Sequence, residues 1–178
     1  MAKRKLKVGF AFRGGIENRP MYFDRDYVNL NSTRLASSLS MQLTPDKHWK
    51  LFLSPGIAWE NNSGGDDSIL SESLDYSLKS SANARYGALR GSISYTLAHI
   101  DYLSGCGVNL TRQILNASIG YSFLKKTLEI KAEGFDLLNA GSVYSMTLTP
   151  EVMTQIWNPT YGRRLMLTAT YHFRKSRR

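Results

Sequence analysis

The chain has 178 residues, of which 42% are hydrophobic and 21% charged, and it carries a formal net charge of +9. This length fits one domain, and the sequence contains no run of about 18 apolar residues such as a membrane helix needs. The single cysteine, Cys106, excludes an internal disulfide and a metal site built from cysteines.

The positive charge is concentrated in the terminal segments "MAKRKLK" and "RKSRR". The internal lysines and arginines fall one by one on separate predicted strands and do not form a continuous stripe. A nucleic-acid partner would need such a stripe. We therefore expect no nucleic-acid partner.

Segments in which apolar and polar residues alternate follow one another along the whole chain. The longest stays in phase from Leu74 to Ala88, whereas strands of soluble sheets usually have about five or six residues. Successive side chains of a strand point to opposite faces, so this alternation predicts strands with one apolar and one polar face. The eight predicted strands cover about 5–13, 32–43, 48–60, 73–88, 91–102, 111–124, 127–138 and 162–173.

The fifth predicted strand contains a change of phase. Ile93 and Leu97 alternate with polar residues, but Ile100 and Tyr102 fall on the opposite phase. One extra residue in a strand produces such a shift, so the pattern predicts a β-bulge before Ile100.

The connections between the predicted strands are alternately long and short. The long ones cover 14–31, 61–71, 103–110 and 140–161, and the short ones cover 44–47, 89–90 and 124–126. Outer-membrane barrels have short turns on the periplasmic side and longer loops outside. The pattern predicts an all-β fold, an antiparallel up-and-down transmembrane β-barrel of about eight strands, with residues 1–178 as a single barrel domain or barrel fragment.

The two faces of the strands differ in the environment that each can tolerate. A lysine or arginine that faces lipid near the middle of the bilayer costs roughly 2 to 4 kcal/mol. We therefore expect the apolar face to meet lipid and the charged face to line a lumen. The residues predicted to face the lumen are Lys79, Arg85, Arg112, Glu129, Lys131 and Glu133.

Aromatic residues occur near both ends of the predicted strands. Trp49, Tyr86, Phe123, Tyr171 and Phe173 lie near the short turns, and Trp59 and Phe135 lie near the long loops. Transmembrane barrels carry two such girdles at the levels of the lipid headgroups. The alternative is that aromatic residues simply favour strands.

The C-terminal third resembles a known family. "LNASIGYSFLKKTLEIKAEGFDLLN", followed by a long connection and "GRRLMLTATYHF", is similar to the C-terminal end of TonB-dependent receptors. In that family a strand ends in a Phe-Leu-Lys-Lys-like turn, an Asp-Leu-Leu-Asn motif follows (here 136–139), and the last strand begins with Gly-Arg (here Gly162 and Arg163) and ends on an aromatic residue (here Phe173).

The resemblance implies that the chain is the C-terminal part of a larger barrel. Full receptors have 22 strands around an N-terminal plug and import large nutrients with energy passed through TonB. The implied partners are outer-membrane lipid and the barrel assembly machinery, with the TonB system reached only through a plug that this chain does not contain. "RKSRR" follows Phe173, where the family usually ends.

The resemblance also implies the cell outer membrane as the location. The N-terminus has no apolar segment or cleavage site of a secretory signal, which taken alone favours the cytoplasm; the alternative is a fragment whose signal lies upstream. Eight strands are also the number of the smallest closed barrels, so closure of this chain on itself remains open.

The sequence carries no constellation of catalytic residues. His48, His99 and His172 lie far apart, and neither a Gly-x-Ser-x-Gly nor a His-Glu-x-x-His motif is present. We expect no catalytic, metal-binding or cofactor-binding residues, and we expect that the protein is not an enzyme.

Three functions fit these observations. The first is nutrient uptake or surface binding as the C-terminal portion of a TonB-dependent receptor-like protein. The second is a structural or adhesive role as a self-contained eight-stranded outer-membrane barrel. The third is a soluble lipocalin-like barrel with its apolar face turned inward around a small apolar ligand.

Overall fold

Ten β-strands make up the regular structure in the computed structural model of the chain, which describes residues 5–23, 26–64, 70–104, 109–124, 127–140, 143–148, 153–158 and 162–173. The strands are β1 (Lys5–Phe23), β2 (Asp26–Thr44), β3 (Trp49–Ser63), β4 (Leu70–Tyr86), β5 (Leu89–Ser104), β6 (Leu110–Phe123), β7 (Leu128–Phe135), β8 (Val143–Leu148), β9 (Met153–Asn158) and β10 (Arg164–Tyr171).

Eight of these strands form one sheet in the order β1-β2-β3-β4-β5-β6-β7-β10, and every neighbouring pair is antiparallel. The predicted all-β fold with eight up-and-down strands is thus confirmed. The separate hairpin of β8 and β9 lies within the connection predicted for 140–161.

Closure of the eight strands on themselves, which the sequence left open, is not observed among the described residues. Among the described residues, β1 pairs only with β2 and β10 pairs only with β7, so the sheet is open and has two free edges. The lengths of the edge strands give a physical reason. β1 has 19 residues and β10 has 8, so a ladder between them would leave most of β1 unpaired.

The first connection is also different from the prediction. The ladder of β1 and β2 continues through the predicted loop at 14–31 as far as the pair of Phe23 and Asp26. Ladder hydrogen bonds come from the backbone, so they do not end where the apolar side chains end. Polar pairs accompany the extension: Asn18 Nδ2 donates to Asn31 Oδ1 at 2.7 Å.

Farther along the same extension, Arg19 donates two hydrogen bonds to the carboxylate of Glu17, at 2.6 and 2.9 Å. These hydrogen bonds lower the pKa of Glu17. Both side chains are fully exposed, so the pair contributes little to stability.

The predicted bulge before Ile100 is wrong. Ile100 pairs with Asp75 and Tyr102 pairs with Ser73 without any interruption, and the register shifts only beyond them, between Ser73 and Glu72. Ile100 and Tyr102 are apolar or aromatic residues on the polar phase. The sequence therefore resembles a phase change where the strand has none.

The registers define two faces of the sheet. One row of directly paired residues crosses all eight strands, and every member is apolar or glycine: Leu6, Leu43, Leu51, Ala82, Ile93, Ala117, Gly134 and Leu165. Directly paired residues point to the same side. We call the side that carries this row the apolar face and the opposite side the polar face.

The apolar face is not covered by any other part of the described chain. No hydrophobic residue is buried among the described residues, and Phe10, Ile119 and Leu167 are 71%, 57% and 74% exposed. On the polar face, by contrast, the side chain of Glu133 is only 18% exposed. The sheet therefore leaves its large apolar side chains exposed while it shields some of its charged ones, which is unusual for a soluble fold.

The short turns are staggered along the sheet. Leu51, Ala82 and Ala117 lie in one row, and each belongs to a hairpin with a short turn. Leu51 is about four residues from the centre of its turn, whereas Ala117 is about eight residues from the centre of its own. The first and third short turns are four strand spacings apart, so the turns are displaced by about four residues over this width. With a rise of about 3.3 Å per residue and a spacing of about 4.8 Å, this stagger inclines the strands by roughly 35 to 40°.

The hairpin of β4 and β5 depends on a glycine, which generates our first prediction. Tyr86 pairs with Leu89, and Gly87 between them has φ of +59°. Side chains strain a backbone at positive φ, so Gly87→Ala should lower the free energy of unfolding by about 1 to 2 kcal/mol. Urea unfolding of the refolded chain in detergent, followed by tryptophan fluorescence, measures the change.

The matched control is Gly91→Ala, two residues beyond this hairpin. A Cβ at Gly91 would meet no atom closer than the Ser118 carbonyl oxygen at 3.9 Å. This variant should unfold at the same urea concentration as the unmodified chain. An equal loss of stability in both variants would contradict the role assigned to Gly87.

Candidate functional site on the polar face

The six charged residues predicted to line a lumen all lie on the polar face. Their paired neighbours are Thr96 for Lys79, Arg90 for Arg85, Ala98 for Arg112, Ser122 for Glu129, Gly120 for Lys131 and Ser118 for Glu133. They are spread over three strands and do not form one cluster. Their common side is thereby established, and the lumen itself stays a prediction.

In the part of the chain that the structure describes, ion pairs occur on the polar face alone. Arg90 Nη1 lies 3.5 Å from Glu129 Oε1, and Lys131 Nζ lies 2.6 Å from Glu133 Oε1. The other two ion pairs among the described residues, Arg19 with Glu17 and Arg34 with Glu60, belong to the same face. Sequence reasoning missed Arg90. The signal was available, because Arg90 follows the tight turn and alternates with the apolar residues of β5.

Several cations of this face have no acidic partner. Within the described ranges, Lys79, Arg85 and Arg112 form no ion pair. Arg85 and Arg90 are direct neighbours across the β4–β5 ladder, where like charges repel. This part of the polar face therefore requires water or anions around it.

A cavity of about 400 Å³ opens on the polar face between β1 and β5. One row of paired residues crosses it: Arg13 lies on the edge strand, Ala36 and Ala58 follow, and then come Asp75 and Ile100. The next row consists of small residues, namely Ala11, Ser38, Gly56, Ser77 and Ala98. These short side chains create the space between Arg13 and Asp75.

The two charged residues of this row do not neutralise each other. Neither Arg13 nor Asp75 forms an ion pair with a described residue, and the shielded Asp75 Oδ1 accepts no hydrogen bond from one. Arg34, which also lines the cavity, is held by Glu60 at 3.6 Å. A shielded carboxylate oxygen without a hydrogen-bond donor costs free energy, so Asp75 is the residue of the cavity that gains most from a ligand with a donor group.

Sequence reasoning did not identify this cavity. Arg13, Ala36, Ala58 and Asp75 come from four strands, and only the register brings them into one row. The available signal was the repeated occurrence of glycine, alanine and serine on the polar phase of β1 to β5.

Five of the seven predicted girdle residues lie within strands on the apolar face: Trp49, Trp59, Tyr86, Phe123 and Tyr171. Near the short turns, Trp49 Nε1 donates to Tyr86 Oη at 2.6 Å, and Tyr171 and Phe173 form an edge contact at 4.7 Å. At the other end, Trp59 Nε1 donates to Glu72 Oε1 at 2.7 Å. Each indole N–H thus has a polar partner beside exposed apolar surface.

Phe135 departs from this arrangement. Its neighbour Gly134 occupies the apolar face, so Phe135 lies on the polar face. There the guanidinium carbon of Arg164 sits 4.8 Å from the centre of its ring, within the range of a cation–π contact.

The Asp-Leu-Leu-Asn segment connects the ends of β6 and β7. The backbone N–H of Asp136 donates to Asn116 Oδ1 at 2.9 Å, and that of Leu137 donates to the Leu115 carbonyl at 2.8 Å. Asp136 Oδ1 accepts the N–H of Ala140 at 3.0 Å. These bonds fix the chain as it leaves β7.

The same segment positions the start of β10. Asn139 Oδ1 accepts the backbone N–H of Arg163 at 3.1 Å, and a Cβ on Gly162 would lie 2.5 Å from that oxygen. Gly162 is therefore required for this contact. The residues on which the family resemblance rests form a structural joint between β7 and β10.

The described residues contain no group of three histidine, cysteine, aspartate or glutamate side chains that could hold a metal ion. None of the helical segments in the part of the chain that the structure describes is long and apolar enough to cross a membrane. Comparison of the chain with known protein families, with curated proteins and with solved structures gives no match.

The joint at Asn139 generates our second prediction. Asn139→Ala removes the acceptor for Arg163 and places an alanine at φ of +57°, so it should lower the free energy of unfolding by about 1 to 3 kcal/mol. Asn139→Gly removes only the acceptor and should cause the smaller part of this loss. Urea unfolding in detergent separates the two contributions.

Leu138→Ala serves as the control, because Leu138 is the exposed neighbour of Asn139 and its side chain has no hydrogen-bonding group. It should change the unfolding midpoint less than Asn139→Ala does. If all three variants unfold together, the Asn139 side chain does not hold β10 in place.

Proposed function

We propose that this chain forms the C-terminal part of the wall of an outer-membrane β-barrel of the TonB-dependent receptor type, with a role in nutrient uptake or binding at the cell surface. The observation that carries the proposal is the exposed apolar face, which crosses all eight strands while no hydrophobic residue in the described part is buried. Lipid acyl chains are the environment that such a face requires.

The dimensions of the sheet support a bilayer location. Strands of outer-membrane barrels are tilted by roughly 35 to 45°, which includes the inclination that the stagger of the short turns implies. From Trp49 to Trp59 the apolar face of β3 spans ten residues, which corresponds to a height of about 25 Å at this tilt. This height equals the usual apolar band of such barrels.

The polar face is suited to line an aqueous path. Its ion pairs, its unpaired cations and its cavity are all compatible with water, and a ligand or plug passing along this side would meet short polar side chains. The role we propose is binding and passage of a solute, and it involves no chemical step. Energised uptake would require the plug and the TonB system as further partners.

The open edges favour a partial wall over a self-contained barrel. Each unpaired backbone N–H or C=O group in hydrocarbon costs several kcal/mol, so a sheet edge cannot face lipid. β1 and β10 therefore need neighbouring strands, which a larger barrel supplies. The barrel assembly machinery is the partner that such insertion requires.

The soluble lipocalin-like alternative places its apolar side chains around an enclosed cavity. In this sheet the cavity lies on the polar face, and the large apolar side chains on the opposite face are exposed. The sidedness therefore favours the membrane proposal.

Arginine substitutions on the two faces provide the test and our third prediction. Ile119 and Leu167 lie in one row two strands apart, roughly 10 Å and 16 Å from the level of Phe123, so both are near the middle of the band. An arginine there should cost roughly 2 to 4 kcal/mol. Ile119→Arg and Leu167→Arg should each greatly reduce the fraction of refolded chain that floats with phosphatidylcholine vesicles.

Ser118→Arg and Thr168→Arg are the matched controls, because each lies next to one of these residues in sequence but on the polar face. Both should float as the unmodified chain does. Equal behaviour of the two pairs, or an unmodified chain that stays in solution without detergent or vesicles, would contradict the proposal.

A further inference from the structure

We propose that the cavity on the polar face binds a short zwitterionic peptide of two or three residues, with the peptide carboxylate on Arg13 and the peptide ammonium group on Asp75. This deepens the proposed function, because it names a ligand class for the aqueous side of the wall. It rests on that function only in requiring that the polar face meets water.

The first support is the separation of the two charges. Arg13 and Asp75 lie in one row, three strand spacings apart, which places their Cα atoms roughly 14 Å from each other. Ala36 and Ala58 fill the positions between them and carry only methyl groups. The sheet thus holds two opposite charges apart, and we call the open surface at Ala36 and Ala58 between them the shelf.

The second support is the state of Asp75. Its Oδ1 atom is shielded and has no donor among the described residues, and the neighbouring guanidinium of Arg34 forms its ion pair with Glu60, at 3.6 Å, and not with Asp75. A carboxylate oxygen removed from water needs a donor to offset the loss of hydration. An ammonium group brings three donors and a positive charge, so it satisfies both requirements.

The third support is the exposure of Arg13 at the other end. Its side chain lies on the edge strand and forms no ion pair with any described residue. A guanidinium group binds a carboxylate through two parallel hydrogen bonds, with a geometry that an isolated anion or a neutral amide does not match. Arg13 therefore selects the free C-terminus of a peptide.

The length of the shelf decides between ligand sizes. Strand side chains stand roughly perpendicular to the sheet, and each terminal hydrogen bond takes about 2.8 Å, so about 8 Å remains for the ligand. An extended chain advances about 3.4 Å per residue. Two or three residues fill this distance, whereas the two charges of a single amino acid lie too close together.

The floor of the shelf is suited to a peptide backbone more than to particular side chains. Ser38, Gly56 and Ser77 form the adjacent row, and a Cβ at Gly56 would lie 2.8 Å from Ser77 Oγ. Gly56 thus leaves room for the hydroxyl group, which can pair with peptide amides. We infer recognition of the two termini with little selection among side chains.

The experiment titrates the refolded full chain in detergent with trialanine, N-acetyl-trialanine and trialanine amide, by isothermal calorimetry. Trialanine should bind, and blocking either terminus should weaken binding by about tenfold or more. Arg13→Gln should remove the preference for the free acid over the amide. Asp75→Asn should remove the preference for the free amine over the acetylated form.

These paired preferences do not depend on how well each variant folds, because every variant is compared with itself on two peptides. Lys79→Gln is the matched control: Lys79 lies on the same strand and face as Asp75 but outside the cavity, and both preferences should persist. Equal binding of all three peptides, or binding of acetate as tight as that of trialanine, would overturn the site.

The two proposals fail separately. A chain that floats with vesicles but does not bind trialanine refutes the peptide site and leaves the membrane wall standing. A chain that binds trialanine with both terminal preferences but stays in solution without detergent or vesicles supports the peptide site and refutes the wall.

Discussion

The structure depends on one constraint: a continuous face of large apolar side chains has nothing from the described chain to cover it. Full burial of a leucine, isoleucine or phenylalanine is worth about 1.5 to 3 kcal/mol. Exposed apolar side chains of this kind, such as Phe10, Ile119 and Leu167, occur on every strand of the sheet. The summed free energy of burying them exceeds the usual net stability of a protein, which is about 5 to 15 kcal/mol. We propose that water is not the medium on this side. Either acyl chains or a second protein layer must cover it, and the height and tilt of the strands favour acyl chains.

The polar face follows from the same alternation, since each apolar side chain on one side requires a residue on the other. There the sequence uses two kinds of residue. Small residues dominate beside β1 to β3 and create the cavity, whereas long charged side chains dominate toward β7 and pair with one another, as Lys131 does with Glu133. Space for a ligand is thus found beside β1 to β5, whereas the acidic side chains Glu129 and Glu133 of β7 are paired with cations.

Sequence alternation was sufficient to predict the central strands, because the apolar rows of β3 to β6 run nearly to their ends. It failed where backbone pairing continues between polar residues, as in the β1–β2 extension past Gly14, and where apolar residues occupy the polar phase, as at Ile100. The common face of the six charged residues predicted to line a lumen could be derived from the alternation of side chains along each strand alone. The position of Arg13 across the cavity from Asp75 could not be derived from the sequence, because it depends on the registers of three ladders at once.

The edges of the sheet bring these features together. Soluble proteins protect a free edge with charged residues, prolines or short strands. In β1 such residues flank the part that crosses the apolar band: Val8 to Phe12 has none, whereas Lys5 and Lys7 precede it and Arg13, Glu17, Arg19 and Pro20 follow it. This part also carries the largest exposed apolar side chains of the strand, so it offers both backbone groups and an apolar face to a further strand. Such a strand would continue the apolar face to lipid and would border the cavity beside Arg13, so the wall and the ligand site we propose share this edge.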